Sequence, residues 1–255
     1  MRKLIVANWK MHPATLAQAQ KLFERTARVA RTLTTCNVVI CPPITYLAGL
    51  PKAPGGKVAL GVQDVFWAEE GAYTGQVGPH MAKSAGASYA ILGHSERRSI
   101  AGDTDEMVAK KVCAALAAGL HVIVCVGEIE RSSDGSSALF VKHQLQKSIR
   151  EVSKNLAANL IIVYEPVWAI SSHKPSRLDT PQGTLEMTLY IRRVLHTMFG
   201  AAVAKKIRVL YGGSDNAKNA AGFLSRAGVD GLLVGKASTS AEEFAAVLRS
   251  ASKLA

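Results

Sequence analysis

Eight short apolar runs, each followed by a longer stretch of helical periodicity, constrain this chain more than any other feature of it. The runs are Lys3–Asn8, Val38–Cys41, Val58–Gln63, Tyr89–Gly93, His121–Gly127, Leu160–Glu165, Ile207–Tyr211 and Gly231–Gly235. They are apolar throughout and do not alternate, as parallel strands covered on both faces require. Between them, apolar side chains recur at helical spacing. Leu16, Ala19, Leu22, Phe23, Ala30 and Leu33 share one face in the first stretch; Val108, Val112, Ala115 and Leu116 do so in the fourth; Leu185, Leu189, Val194 and Met198 mark the sixth. Thr180-Pro181 reads as a helix start, a capping hydroxyl before Pro at the first helical position. No linker or composition break interrupts the pattern. It predicts an α/β protein with one closed (β/α)8 barrel, a single domain over residues 1–255. An open doubly wound sheet is the alternative. Against it, the first run leads into NWKMHP and not into G-x-G-x-x-G.

Composition narrows the function. The chain is 48% hydrophobic and 20% charged over 255 residues, so a core can form without disulfide or metal. Cys36, Cys41, Cys113 and Cys125 contain no C-x-x-C and read as reduced thiols of a cytoplasmic protein. MRKLIVANWKM is basic then apolar, but too briefly apolar for a signal peptide. The longest apolar stretch, Ala114–Gly127, is broken by Gly119 and His121, and falls short of the roughly 20 residues of a membrane span. The net charge of +12 favours anionic partners. A small phosphorylated substrate and an anionic membrane both suit that charge, which does not choose between them. The chain's Lys and Arg are scattered, without basic stretches interleaved with aromatics, so nucleic acid is not expected.

In such a barrel the chemistry sits at the C-terminal ends of the strands. Those ends carry Asn8 and Lys10, then Gly93-His94-Ser95-Glu96, Gly127-Glu128, Tyr164-Glu165-Pro166, Gly212-Gly213-Ser214 and Gly235-Lys236. Taken singly, each has an ordinary explanation: a solvated loop Lys or His, a rim Glu, a tight Gly-Gly turn. Taken together, a cation, an imidazole and a carboxylate converge on one mouth, and glycines after the last two strands free amides for an anion. A base, an electrophile and a cation around an anion site suit proton transfer next to a carbonyl.

At these residues the sequence resembles the triosephosphate isomerase family. The motifs run nearly end to end: ANWKM at 7–11, CPP at 41–43, GAYTG at 71–75, GHSERR at 93–98, CVGE at 125–128, YEPVWAI at 164–170, YGGS at 211–214 and LLVG at 232–235. The resemblance implies a TIM barrel that interconverts dihydroxyacetone phosphate and D-glyceraldehyde 3-phosphate, in glycolysis and gluconeogenesis, without a cofactor or metal. It implies that Glu165 is the catalytic base, that His94 is a neutral imidazole on the substrate oxygens, and that Lys10 stabilises the enediolate, with Glu96 organising it. Asn8 would position the substrate. The phosphate would meet backbone amides near Ser171, Ser214, Gly235 and Lys236. Thr74 would reach into a second subunit's site, which implies a homodimer.

Several positions depart from the family pattern. Ile170 runs into SSHKPSRLD where a G-T-G-K-like lid is usual, so the tip is longer and lacks its glycines. Lys236 replaces the second Gly of the last phosphate loop, Gln76 stands for Glu, Asp64 for Asn, and His12-Pro13 follows NWKM. The lid change predicts less favourable closure, because a residue with a Cβ pays roughly 1 kcal/mol or more where φ > 0 is needed. Two other readings stay open: another phosphate-dependent barrel isomerase, and a non-catalytic binding protein on the same fold.

Overall fold

The structure, a computed structural model, describes residues 2–51, 57–170 and 178–254. Its strands are β1 (Lys3–Asn8), β2 (Cys36–Cys41), β3 (Val58–Val62), β4 (Tyr89–Leu92), β5 (His121–Val126), β6 (Leu160–Tyr164), β7 (Arg208–Tyr211) and β8 (Gly231–Val234). Each pairs in parallel with the next, and β8 returns to β1, so the barrel closes. The open-sheet alternative is thereby excluded. The strands fall where the apolar runs predict them, with the last residue of several runs just past its ladder.

Period-two alternation divides the barrel's apolar residues into two cores. Leu4, Val6, Val39, Cys41, Ile91, Ile123, Cys125, Ile161, Val163, Leu210 and Leu233 fill the interior. Ile5, Ala7, Ile40, Val122, Ile162 and their counterparts face the helices. The covering helices are α1 (Leu16–Arg31), α2 (Ile44–Leu47), α3 (Pro79–Ser84), α4 (Ser95–Ile100), α5 (Asp105–Ala117), α6 (Ser136–Ile149), α7 (Pro181–Phe199), α8 (Ala201–Ala204), α9 (Ala220–Arg226) and α10 (Ala241–Ser252). Thr180 caps α7 as expected, its Oγ1 accepting from the Gly183 amide at 3.1 Å.

The buried face of α7 differs from the expected one. It comprises Thr184, Met187, Thr188, Ile191, Val194, Leu195 and Phe199, while Leu189 is 57% exposed. Thr184 donates to Asp179 Oδ2 at 2.6 Å. That bond lets a threonine take an inward position, so apolar spacing alone misjudges the helix rotation.

Beside the barrel lies a buried ionic cluster. Lys111, 1% exposed, reaches Asp103 Oδ2 at 2.6 Å and both oxygens of Asp64 at 2.9 and 3.0 Å. Arg97 reaches Asp64 and Asp103 at 3.0 and 3.2 Å. Burial pushes the Asp64 carboxyl up, against the pull of Lys111 and Arg97. Asp64, one of the departures noted above, is thus paired within its own chain.

Candidate active site

The inward register that builds the barrel core also builds its mouth. Continuing by two residues from Val6 gives Asn8; from Val163, Glu165; from Leu210, Gly212; from Leu233, Gly235. Side chains thus stand at two of these positions, and glycine leaves room at the others. Backbone approach also demands glycine at Gly127, where a Cβ would lie 1.9 Å from the Glu165 carbonyl oxygen. The amide of Glu165 donates to that neighbouring strand, at Val126 O, over 2.8 Å. A residue other than glycine at 127 would push the carboxylate out of the mouth.

Lys10 stands just past β1 in a left-handed backbone conformation, φ 51°. That costs energy for a residue with a Cβ and persists only where surroundings enforce it. Here the Asn8 Oδ1 accepts the Lys10 amide at 3.0 Å, and Gln63 Nε2 donates to the Lys10 carbonyl at 2.8 Å. Gln63 also donates to Cys41 O at 2.9 Å, tying three strand ends together. The ammonium of Lys10 meets Glu96 Oε1 at 2.6 Å. A Cβ on Gly235 would lie 3.3 Å from Lys10 Cε, so the glycine gives this side chain its berth.

His94 caps α4. Its Nδ1 accepts the Glu96 amide at 3.2 Å, so that nitrogen carries a lone pair and the ring proton is on Nε2. Nε2 lies 2.9 Å from Glu165 Oε1. Glu96 Oε2, at 3.9 Å from Nδ1, is too far to compete for it. Glu165 is 3% exposed, and Ser95 also holds it, through its amide at 3.0 Å and its Oγ at 3.2 Å.

Opposite these groups, the loops after β7 and β8 face each other across a cavity of about 250 Å³. Asn8, Lys10, His94, Glu165, Gly213, Ser214, Gly235 and Lys236 all contribute to its lining. Ser214 is fixed from both sides: Oγ donates to Ala169 O at 2.7 Å, and its carbonyl accepts Asn219 Nδ2 at 2.8 Å. A short 3-10 turn, Lys236–Thr239, begins at the rim, and the first amides of such a turn lack partners within it. One cavity thus combines an anion-suited wall with a cation, an imidazole and a carboxylate. Among the described residues, no group of three or more His, Cys, Asp and Glu comes together as a metal site needs.

Comparison with known proteins matches the chain to one family. The triosephosphate isomerase family profile covers residues 3–251. The chain belongs to the triosephosphate isomerase family. It is 42% identical over 252 residues to the triosephosphate isomerase of Citrifermentans bemidjiense, covering 98% of this chain and 99% of that protein. With the triosephosphate isomerase of Rhodopirellula baltica it shares 40% identity over 253 residues, 98% of each chain. The crystal structure of triosephosphate isomerase from Bartonella henselae superposes with a TM-score of 0.84 at 35% identity, over 98% of this chain and 99% of that one.

Of the residues expected from the triosephosphate isomerase motifs, Asn8, Lys10, His94, Glu165, Ser214, Gly235 and Lys236 line one cavity, and Glu96 contacts Lys10. Ser171, and the lid-tip departures from Ser171 to Arg177, lie outside the described residues. Thr74 is exposed on a loop closed by the Phe66 amide on Val77 O at 2.8 Å. Gln63 and Ser95 were not singled out as site residues from the sequence. Ser95 lies inside the quoted GHSERR motif, and Gln63 ends an apolar run, which are the signals that could have found them. Glu128 was noted only as a strand-end acid. Its Oε1 accepts from Tyr164 Oη at 2.9 Å and Trp168 Nε1 at 3.0 Å, anchoring the start of the segment after β6.

Proposed function

We propose that this chain works as its family name states, interconverting dihydroxyacetone phosphate and D-glyceraldehyde 3-phosphate by proton transfer through an enediolate, without a cofactor. The observation that carries this reading is the convergence of Lys10, His94 and Glu165 on one cavity whose far wall is built from the loops after β7 and β8.

Glu165 takes the proton from one carbon of the substrate and returns it to the neighbouring carbon. At rest its oxygens accept two hydrogen bonds from Ser95, and His94 Nε2 stands 2.9 Å from Oε1. A substrate carbonyl or hydroxyl arriving at His94 Nε2 accepts its N–H within reach of Glu165. The same N–H then stabilises the oxygen as negative charge grows on it, and Lys10 does so electrostatically. Losing one such donor typically costs about 3–4 kcal/mol of transition-state stabilisation. Amides near Ser171, Ser214, Gly235 and Lys236 hold the phosphate, and Asn8 positions the substrate.

The chain acts in the cytoplasm, in glycolysis and gluconeogenesis, as one domain over residues 1–255 and as a homodimer. Free Cys36, Cys41, Cys113 and Cys125 suit a reducing compartment. Among the described residues no helix is long and apolar enough to cross a membrane. Association is supported by apolar side chains beside the site. Met11 is 91% exposed next to Lys10, and beside it lies a cavity of about 350 Å³ lined by Lys10, Met11, Ile44, Gln63, Phe66 and Arg97, which on this reading receives the second copy.

A coupled assay on D-glyceraldehyde 3-phosphate with purified protein, in chelator and without added cofactor, tests the reading. Turnover is expected. Its absence, with the fold intact by circular dichroism, would point to another sugar phosphate or to a binding role.

A further inference from the structure

Asp215 follows Ser214 in the loop after β7, and it is an anomaly. The residue is 6% exposed, and neither carboxyl oxygen reaches water or a hydrogen-bond partner among the described residues. Its amide is spent on the Gly213 carbonyl at 2.9 Å. Yet the residue forms part of the wall of the anion-suited cavity, in sequence between Ser214 and Asn216, with its carboxyl oxygens covered behind that wall.

Charge complementarity does not explain a buried acid there. An isolated ionised carboxylate is among the costliest groups to bury unpaired, and such a group sheds its charge instead. The neighbours do not relieve it. Asp179 is a second acid within electrostatic range, and the Tyr211 phenol senses both carboxyls. Burial first, and Asp179 second, push the Asp215 carboxyl well above the ordinary range. Lys236 lines the same cavity but makes no ion pair with Asp215, and its side chain is exposed. Glu243, also exposed, adds another negative group at the rim.

We infer that Asp215 stands in the wall of this cavity as a neutral acid, and that its ionisation as pH rises weakens the binding of phosphate-bearing ligands. This rests on the reading of the cavity as the phosphate site. A neutral acid leaves the wall free of negative charge for a dianion. An ionised Asp215 would set a fixed anion beside that dianion, screened little because its oxygens are shut away from water. By linkage, a bound dianion favours the protonated acid, so binding takes up a proton wherever the free protein has lost it. Asp215 therefore determines the pH range of substrate binding without touching the reacting atoms.

The test uses glycerol 3-phosphate, which has the phosphate but no carbonyl to isomerise. Its Kd is measured by calorimetry from pH 6 to pH 9.5 on the wild-type protein and on Asp215→Asn, which has nearly the shape of the neutral acid. The ligand and every other side chain are common to both proteins, so the ratio of the two Kd values reads Asp215 together with Asp179 and Tyr211, the groups coupled to it. The expected ratio is near one at pH 6, with wild type weaker by about fivefold or more at the alkaline end, the lower range of typical coupling. Repeating the titration in two buffers of different ionisation enthalpy should show proton uptake by wild type that Asp215→Asn lacks. Parallel Kd profiles, or a variant uniformly weaker at every pH, would overturn the inference and reduce Asp215 to a structural part of its loop. Asp215→Ser serves as the second neutral variant should the asparagine fold poorly. Absence of glycerol 3-phosphate binding to wild type at any pH would instead bring down the phosphate reading of the cavity, and this inference with it.

Discussion

His94 Nε2 and Glu165 Oε1 lie 2.9 Å apart although 71 positions separate them in the chain. Nδ1 of His94 is committed to the Glu96 amide, which leaves Nε2 as the ring's donor. The base and the electrophile of the proposed reaction thus stand side by side before substrate arrives. Glu165→Gln keeps the shape and removes the proton acceptor. Its kcat should fall by about 10²-fold or more, with an unchanged far-ultraviolet spectrum. Near-wild-type turnover in purified variant protein would refute the assignment.

Lys10 faces both the anion wall and the reacting end of the cavity. Lys10→Met should abolish measurable isomerisation and also weaken glycerol 3-phosphate as a ligand. Glycerol 3-phosphate titrations alongside the coupled assay separate the two effects. Should both affinity and rate stay at the wild-type level, Lys10 is a surface residue only.

The ionic cluster makes a prediction about stability. Asp103→Ala leaves the Lys111 ammonium, 1% exposed, without its 2.6 Å partner. Removing one member of a buried pair typically costs about 3–5 kcal/mol. Urea unfolding should show a loss at the lower end of that range, because Asp64 still pairs with Lys111. A change under about 0.5 kcal/mol, the scale of ordinary surface substitutions, would mean the cluster is hydrated and contributes little.

Association is checked by light scattering. The monomer mass is 27.1 kDa, and about twice that is expected at micromolar concentration and moderate salt. Each copy carries a net charge of +12, so the dimer should tighten as salt rises through the range where screening is strong. A mass that stays at the monomer value under these conditions contradicts the homodimer.

Asp215 also predicts a pH dependence of folding, independent of any ligand. Its folded carboxyl titrates well above the ordinary value of its unfolded form, so the folded state holds a proton that the unfolded state releases. The stabilising contribution is therefore complete below the unfolded value, about 3.9, and is lost as pH rises through the folded one. Asp215→Asn should match wild type in urea midpoint near pH 4 and exceed it at pH 8. An equal offset at both pH values would show that the substitution acts through packing and not through ionisation.

The sequence by itself determined the alternation of strands and helices and most of the residues at the mouth. Continuous apolar runs such as Leu160–Tyr164, bounded by helical stretches, read as strands covered on both faces, and inward alternation from Ile161 and Val163 already points Glu165 at the barrel axis. These are local properties, legible because burial imposes its period on neighbouring residues. Barrel closure decided the rest. It brought Glu96 to Lys10 across 86 positions, placed Gln63 under a Lys10 backbone at φ 51°, and set Ser95 against Glu165. It turned α7 onto Thr184 through a bond to Asp179, where apolar spacing had favoured Leu189. It also left Asp215 walled in without a partner. Such pairings depend on which strand ends meet at the mouth and how far each side chain reaches. A one-dimensional pattern carries the burial of a residue, but not the identity of the group that burial puts beside it.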